Sequence, residues 1–120
     1  QRELRNIMWE HCGVVRDEEK LQSGLKRSDQ LKDTLPLLDV RPDSEGYEDL
    51  MLAFDLEGSL MSAEATMLGA KARKESRGAH QRSDFKETSD KHHLNFRVEL
   101  SSEGNLGLSV ISFYIRVLYI

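Results

Sequence analysis

The sequence predicts a mainly α-helical domain: an antiparallel three-helix bundle followed by a short β-hairpin. Three observations carry this reading. Apolar residues recur at helical spacing in three stretches between Leu4 and Arg77. Gly13 and Pro36 interrupt those stretches where connectors are needed. From Leu94 onward the pattern changes to strict apolar/polar alternation, the period of a half-buried strand.

The elements follow in chain order. Leu4, Ile7, Met8 and His11 share one helical face and give a short first helix ending near Gly13. Asp17 is placed to cap a second helix, with Glu18 and Glu19 in the first turn, where the positive end of the helix dipole favours them. Its apolar positions Leu21, Leu25, Leu31 and Leu35, with Ser28 between them, step like a bundle seam. Pro36 biases Leu35 away from helical geometry and ends the helix there.

Residues 37–42 read as a connector, and Asp43 or Ser44 as the cap of a third helix. That helix carries Tyr47, Leu50, Met51, Phe54, Gly58, Met61, Ala65, Leu68 and Ala72 on one stripe. Continued to Arg77, it is on the order of 50 Å long, about twice the second helix. Its C-terminal half therefore overhangs, lined by Ala63, Ala65, Gly69, Ala70 and Ala72. Gly58 and Gly69 each weaken a helix by ~1 kcal/mol against alanine, so both point to close packing. Leu25, Leu31, Phe54 and Met61 are the expected core.

After a polar loop to His93, Leu94, Phe96, Val98 and Leu100 alternate with Asn95, Arg97 and Glu99. The cluster 101–105 is a turn, and Leu106, Leu108 and Val110 resume the alternation, which completes a hairpin. Residues 108–120 are strongly apolar but too few, and broken by Arg116, to form a membrane helix of ~20 residues. A second hairpin strand is the expected fate of that segment.

At 120 residues this is one domain, with 38% hydrophobic and 32% charged residues typical of solvated helix faces. A net charge of −4 argues against a general nucleic-acid binder. The single cysteine, Cys12, permits no internal disulfide and points to a reducing, intracellular setting. Gln1 is not preceded by methionine or a leader, so the chain reads as a fragment or the processed end of a longer one.

Candidate chemistry is sparse. His11, His80, His92 and His93 lack the paired spacing and converging Cys or His of a zinc site, and Cys12 stands alone. Ser76, His80 and Asp84 lie close in sequence, but Gly78 interrupts the helix between the first two and no elbow motif surrounds Ser76. No catalytic, metal or cofactor-binding residue is assigned. No Gly-x-Gly-x-x-Gly follows a strand, so the dinucleotide fingerprint is missing from this chain.

The densest signal is the run Arg73-Lys74-Glu75-Ser76-Arg77-Gly78-Ala79-His80-Gln81-Arg82-Ser83-Asp84-Phe85. Arg73, Lys74 and Arg77 suit the last turn of the third helix, and Gly78 suits its left-handed terminator. The order of the run resembles one near the C-terminus of succinate dehydrogenase and fumarate reductase flavoprotein subunits and the related L-aspartate oxidases. Upstream, Met8-Trp9-x-x-x-Gly13-Val14-x-Arg16-x-Glu18-x-x-Leu21 resembles the segment that opens the helical domain of that family. Ser62-Ala63-Glu64-Ala65 is similar to its last long helix. Two departures stand out: Lys86 replaces the usual proline after the Asp-aromatic pair, and Asp90-Lys91-His92-His93-Leu94 replaces an aspartate-rich stretch.

The resemblance implies a C-terminal helical domain, bundle-like in the spectrin-repeat manner, of an FAD-dependent oxidoreductase acting on succinate, fumarate or L-aspartate. It implies FAD in the full-length protein and none in this chain, which alone is expected to be inactive. Residues 1–85 would form the bundle with its closing loop, and 86–120 the polar loop and hairpin or extended tail. The implied partners are the flavin-binding and capping domains of the same polypeptide and an iron–sulfur subunit, with no nucleic acid and no direct membrane span. The location would be cytoplasmic, or peripheral on the inner face of a membrane through partner subunits. Arg73, Glu75, Arg77, His80, Arg82 and Asp84 are the expected interdomain docking residues. The rival reading is a free-standing helical interaction module with no redox role.

Overall fold

The computed structural model describes residues 1–40 and 47–111. Helix α1 (Arg2–Cys12) and helix α2 (Glu18–Lys32) are joined by a short strand β1 (Val15–Arg16), and α3 (Glu48–Ala72) follows. Beyond α3 come strand β2 (Gln81–Arg82), a 3-10 turn (Asp90–His92) and the hairpin strands β3 (Asn95–Leu100) and β4 (Leu106–Ile111).

The core is where the three helices meet. Leu4 and Cys12 of α1, Leu21 of α2 and Leu56, Leu60, Ala63, Met67 and Ala70 of α3 form one buried cluster, with Met8, Leu25, Leu31 and Leu35 packed at its edge. Ile7 is also buried. The α3 positions recur at intervals of four and three, a bundle seam. At 25 residues α3 is about 37 Å long and α2, at 15, about 22 Å. Gly24 marks the closest approach of the helices. A Cβ there would stand 2.7 Å from the His11 Cβ and 2.8 Å from the Met67 sulfur, so only glycine fits without a shift.

Several expectations need correction. The expected α3 stripe is out of phase: Phe54 is 74% exposed, and Leu50, Met51 and Tyr47 are exposed with it. Met61 is only half-buried. This helix is apolar around much of its circumference, so its own period does not choose a face. Leu4, Leu21 and Gly24 on the other helices do. Leu25 and Leu31 pack at the margin of the core rather than in its centre. The overhang lies at the opposite end from the expected one, because Ala63 and Ala70 are core residues while residues 50–54 stand clear. A Cβ at Gly58 or Gly69 would meet nothing within 4 Å, so neither glycine answers to a close neighbour among the described residues.

The helix ends differ too. α2 stops at Lys32, because Thr34 Oγ1 donates to Leu31 O at 2.6 Å and a 3-10 turn then runs over Leu35–Leu37. α3 ends at Ala72, not Arg77, so Arg73, Lys74 and Arg77 do not fill its last turn. Gly78, at φ 58°, serves a tight reversal instead: Arg77 N donates to His80 O (2.8 Å) and His80 N to Arg77 O (3.0 Å). A positive φ at the first central residue is what such a turn asks of glycine. The expected caps Asp43 and Ser44 lie outside the described residues. Asp17 does cap α2, its Oδ1 accepting from Lys20 N at 2.8 Å.

The hairpin is present as the alternation predicts, with Asn95 opposite Ile111 and Leu100 opposite Leu106. Ser101 N donates to Asn105 O (2.8 Å), and Gly104 N to Ser101 O (3.0 Å), closing the turn. Phe96, Val98 and Leu106 are half-buried while Leu108, Val110 and Ile111 are exposed. The segment 112–120 lies outside the described residues.

Candidate functional site: the closing loop and the open helical face

The chain after α3 folds back as a loop locked by two buried charges. Arg82 is 2% exposed, and its guanidinium is fully used. Nε donates to Asp84 Oδ1 (2.7 Å), and Nη2 to Asp84 Oδ2 (2.7 Å) and Glu18 Oε2 (3.3 Å). Nη1 donates to Ala70 O (3.0 Å) and Lys71 O (3.3 Å). The last two acceptors are orphan carbonyls at the C-terminus of α3, where a cation is favoured by the dipole. Arg82 therefore caps α3 from strand β2, well beyond the end of the helix. Its ring neighbour is Phe85, with the guanidinium carbon 5.1 Å from the centroid.

Asp84 completes a second task. Its Oδ2 accepts from Glu18 N at 2.9 Å, which satisfies a free N–H at the start of α2. The pairing with Arg82 leads the causes that bring its carboxyl down to about 2, against the opposing pull of burial. Glu75, fully buried, accepts from Arg73 Nη1 (2.6 Å), Arg77 Nε (3.2 Å) and Ser89 N (2.9 Å). Burial alone would raise its pKa. The hydrogen bonds from Arg77, Ser89 and Arg73 outweigh that and hold the carboxyl at about 2.

β1 and β2 pair in parallel, Val15 beside Gln81 and Arg16 beside Arg82, and Ser83 N extends the ladder to Arg16 O at 2.8 Å. This pairing stitches the α1–α2 connector to the closing loop. Two-residue strands are too short to leave a period in the sequence, so sequence reasoning missed them. His80 sits at the junction. Its Nε2–H donates to Arg73 O (3.0 Å), which leaves Nδ1 to accept from Arg16 Nη1 (3.0 Å). The network thus requires the neutral ring. Burial, then the charges of Arg16, Arg82 and Arg73, push its pKa below the usual histidine value despite the hydrogen bond to Arg73 O.

The six residues expected at the docking surface are thus brought together, in two clusters facing largely inward. Arg73, Glu75 and Arg77 form one, Arg82 and Asp84 the other, and His80 bridges to Arg16. Ser76 is buried and its Oγ donates to Phe85 O (2.8 Å) while accepting from Arg82 N (2.9 Å). It forms no nucleophile–base pair with His80, whose two nitrogens are engaged elsewhere. Among the described residues no group of three His, Cys, Asp or Glu side chains is arranged to hold a metal. No helix of the described residues is long and apolar enough to cross a membrane.

The other feature is an open groove of about 1000 Å³ between α1 and α3. Trp9 and Phe54 stand on its rims, 79% and 74% exposed, and Leu4, Ala63, Gly58 and Ser62 line it. The N-terminal part of the stripe that sequence periodicity selects as core, including Phe54 and Gly58, is therefore left uncovered by the described residues, while Met61, Ala65, Leu68 and Ala72 are half-buried.

The result is a helical domain whose charged closing loop clamps its last helix. The chain belongs to the fumarate reductase flavoprotein C-terminal family, whose model matches residues 1–112. A fumarate reductase (CoM/CoB) subunit of Methanothermobacter marburgensis is 40% identical over 87 residues, 72% of this chain and 16% of that protein. The succinate dehydrogenase flavoprotein subunit of Coxiella burnetii is 35% identical over 102 residues, 81% of this chain and 17% of that protein. Among solved structures, E. coli quinol fumarate reductase FrdA superposes with a TM-score of 0.86 at 28% identity, over 98% of this chain and 21% of that one. The chain spans about a sixth of the length of the relatives it matches. Of the two readings of the sequence, these matches support the flavoprotein domain.

Proposed function

We propose that this domain packs on the flavin-binding and capping domains of the polypeptide to which it belongs and holds their catalytic architecture in place. The observation that carries the reading is the exposed apolar start of α3, where Tyr47, Met51 and Phe54 stand in the open and Phe54 faces Trp9 across the groove lined by Gly58. Exposed rings of that size at a groove mark an interaction surface rather than a solvated one. The three helices would pack as an antiparallel bundle. The ion pairs of Lys71 with Glu18 and Lys32 with Glu64, which join the start of α2 to the end of α3 and the end of α2 to its middle, support this.

Arg73, Glu75, Arg77, His80, Arg82 and Asp84 would dock as a preformed surface. Glu75 and Arg82 are its internal frame, and Arg77 and Asp84, which keep 37% and 29% side-chain exposure, are the groups able to reach a partner. The parent enzyme would interconvert succinate and fumarate, or oxidise L-aspartate, through FAD, with an iron–sulfur subunit as electron partner in the first case. It would be intracellular, cytoplasmic or peripheral to a membrane through that assembly. The described residues do not fit FAD themselves: none of their glycines joins a strand to the start of a helix, where a pyrophosphate is cradled. No step is therefore assigned to this chain.

The test compares the 120-residue chain with the full flavoprotein polypeptide. The chain alone is expected to be colourless and to reduce no dye with succinate even when FAD is added, while the longer polypeptide is yellow and reduces the dye. Phe54→Asp is expected to leave the melting of the chain alone unchanged and to weaken retention of this domain after limited proteolysis of the longer protein. Stoichiometric flavin carried through gel filtration by the chain alone would defeat the reading.

A further inference from the structure

Arg16 is the residue of the α1–α2 segment whose role the closing loop does not exhaust. Its Nε caps the end of α1, donating to Gly13 O (3.0 Å) and more weakly to Cys12 O (3.4 Å), and Nη1 donates to His80 Nδ1 (3.0 Å). Every other arginine of the closing loop is joined to a carboxylate: Arg73 and Arg77 to Glu75, Arg82 to Asp84 and Glu18. Among the described residues no carboxylate lies within ion-pair distance of Arg16, and its Nη2 has no acceptor.

Its surroundings suit an anion. Arg16 is half-buried and lines a cleft of about 290 Å³ between the C-terminal half of α3 and strand β3, with Thr66, Gly69, Asn95 and Phe96 among the walls. His80 meets it as a neutral acceptor and so leaves the guanidinium charge uncompensated. A carboxylate entering the cleft would find the Nη2 N–H donors that no other group uses, with Asn95 among the walls and an apolar side beyond it. The volume exceeds what one carboxylate side chain fills, and the cleft is open on the side where Gly69 presents no side chain.

We propose that Arg16 is the receptor for an aspartate or glutamate side chain of the flavin-bearing part of the polypeptide, which enters the cleft between α3 and β3. The proposal rests on the docking reading above and adds to it one specific contact, separate from the α1–α3 groove. The pair forms only on docking, so Arg16 would reject a misplaced basic surface as well as hold the right one.

The experiment uses the full flavoprotein and a water-soluble carbodiimide, which joins an amine to a carboxylate only at contact distance. Arg16→Lys supplies the amine at this position, and retention of this domain after limited proteolysis of the same protein reports docking independently. The expected result is an amide from position 16 to an acidic residue outside residues 1–120, identified by mass spectrometry. A retained domain with no cross-link from position 16, or with one only to Asp17, Glu18 or Asp84, would overturn this inference and leave docking intact. A domain released by proteolysis and carrying no such cross-link would overturn both. If Arg16→Lys misfolds by circular dichroism, phenylglyoxal on the unsubstituted protein decides. Arg16 should then react at least about tenfold more slowly in the full polypeptide than in the chain alone, and equal rates would refute the contact.

Discussion

Arg82→Ala is the most informative perturbation of this chain. The guanidinium has five N–H donors, and the structure gives all of them acceptors: two on Asp84, one on Glu18 and two on carbonyls at the end of α3. Removing one partner of a buried ion pair costs about 3–5 kcal/mol. Asp84 and Glu18 are 29% and 50% exposed and can recover water, which lowers the electrostatic share. The two α3 carbonyls and the packing of a side chain 2% exposed cannot be recovered so easily. A net loss of about 3 kcal/mol follows, or a fall in Tm of roughly 10 °C for a domain of this size. Urea unfolding followed by far-ultraviolet circular dichroism measures it. Arg82→Lys should recover less than half, because an ammonium cannot address Asp84 and the helix end together. Combining Arg82→Ala with Asp84→Ala should cost less than the sum of the two, since the carboxylate is no longer stranded. A loss below about 1 kcal/mol for Arg82→Ala would mean that the guanidinium does not hold the loop on α3.

Three further outcomes are expected. Gly24→Ala should destabilise by about 1–2 kcal/mol through its clash with His11 and Met67, whereas Gly58→Ala and Gly69→Ala, which meet open space, should each stabilise the chain alone by up to ~1 kcal/mol; denaturation midpoints distinguish them. Phe54→Ala should shift the stability of the chain alone by less than about 0.5 kcal/mol, because a ring 74% exposed leaves no cavity; a loss of several kcal/mol in the same measurement would return it to the core. Stability should fall on acidification in two stages. Neutral His80, with its pKa depressed, contributes fully above the usual histidine range and loses that contribution as the pH drops below it. The Glu75 and Asp84 charges, with folded pKa near 2 against ordinary values of 4.5 and 3.8, contribute above those values and lose it as the pH falls toward 2. Midpoints measured from neutral pH down to the acid limit that did not move in this direction would contradict the buried network.

Much of the architecture can be read from local chemistry. Asp17 with Glu18 and Glu19 marks the start of α2, Gly13 the end of α1, and the alternation around Phe96 and Val98 the hairpin. Each is a short-range signal whose cause lies within a few residues. The charged run from Arg73 to Asp84 is legible as one site, but which charges meet is not. Glu75 and Arg82 stand in the same run and look equally solvent-bound in sequence, yet each is buried in a different cluster.

The number, order and type of the main elements follow from local pattern, as does the family to which their motifs belong. Which face of α3 is core, where that helix ends and which way it overhangs depend instead on contacts between distant parts of the chain. A helix apolar on most sides has no preferred face of its own; Leu4, Leu21 and the gap at Gly24 select one, and Met51 and Phe54 are left exposed. The end of α3 is likewise set from outside, by Arg82 reaching back from β2 to its last carbonyls, an interaction between parts of the chain that no local pattern encodes.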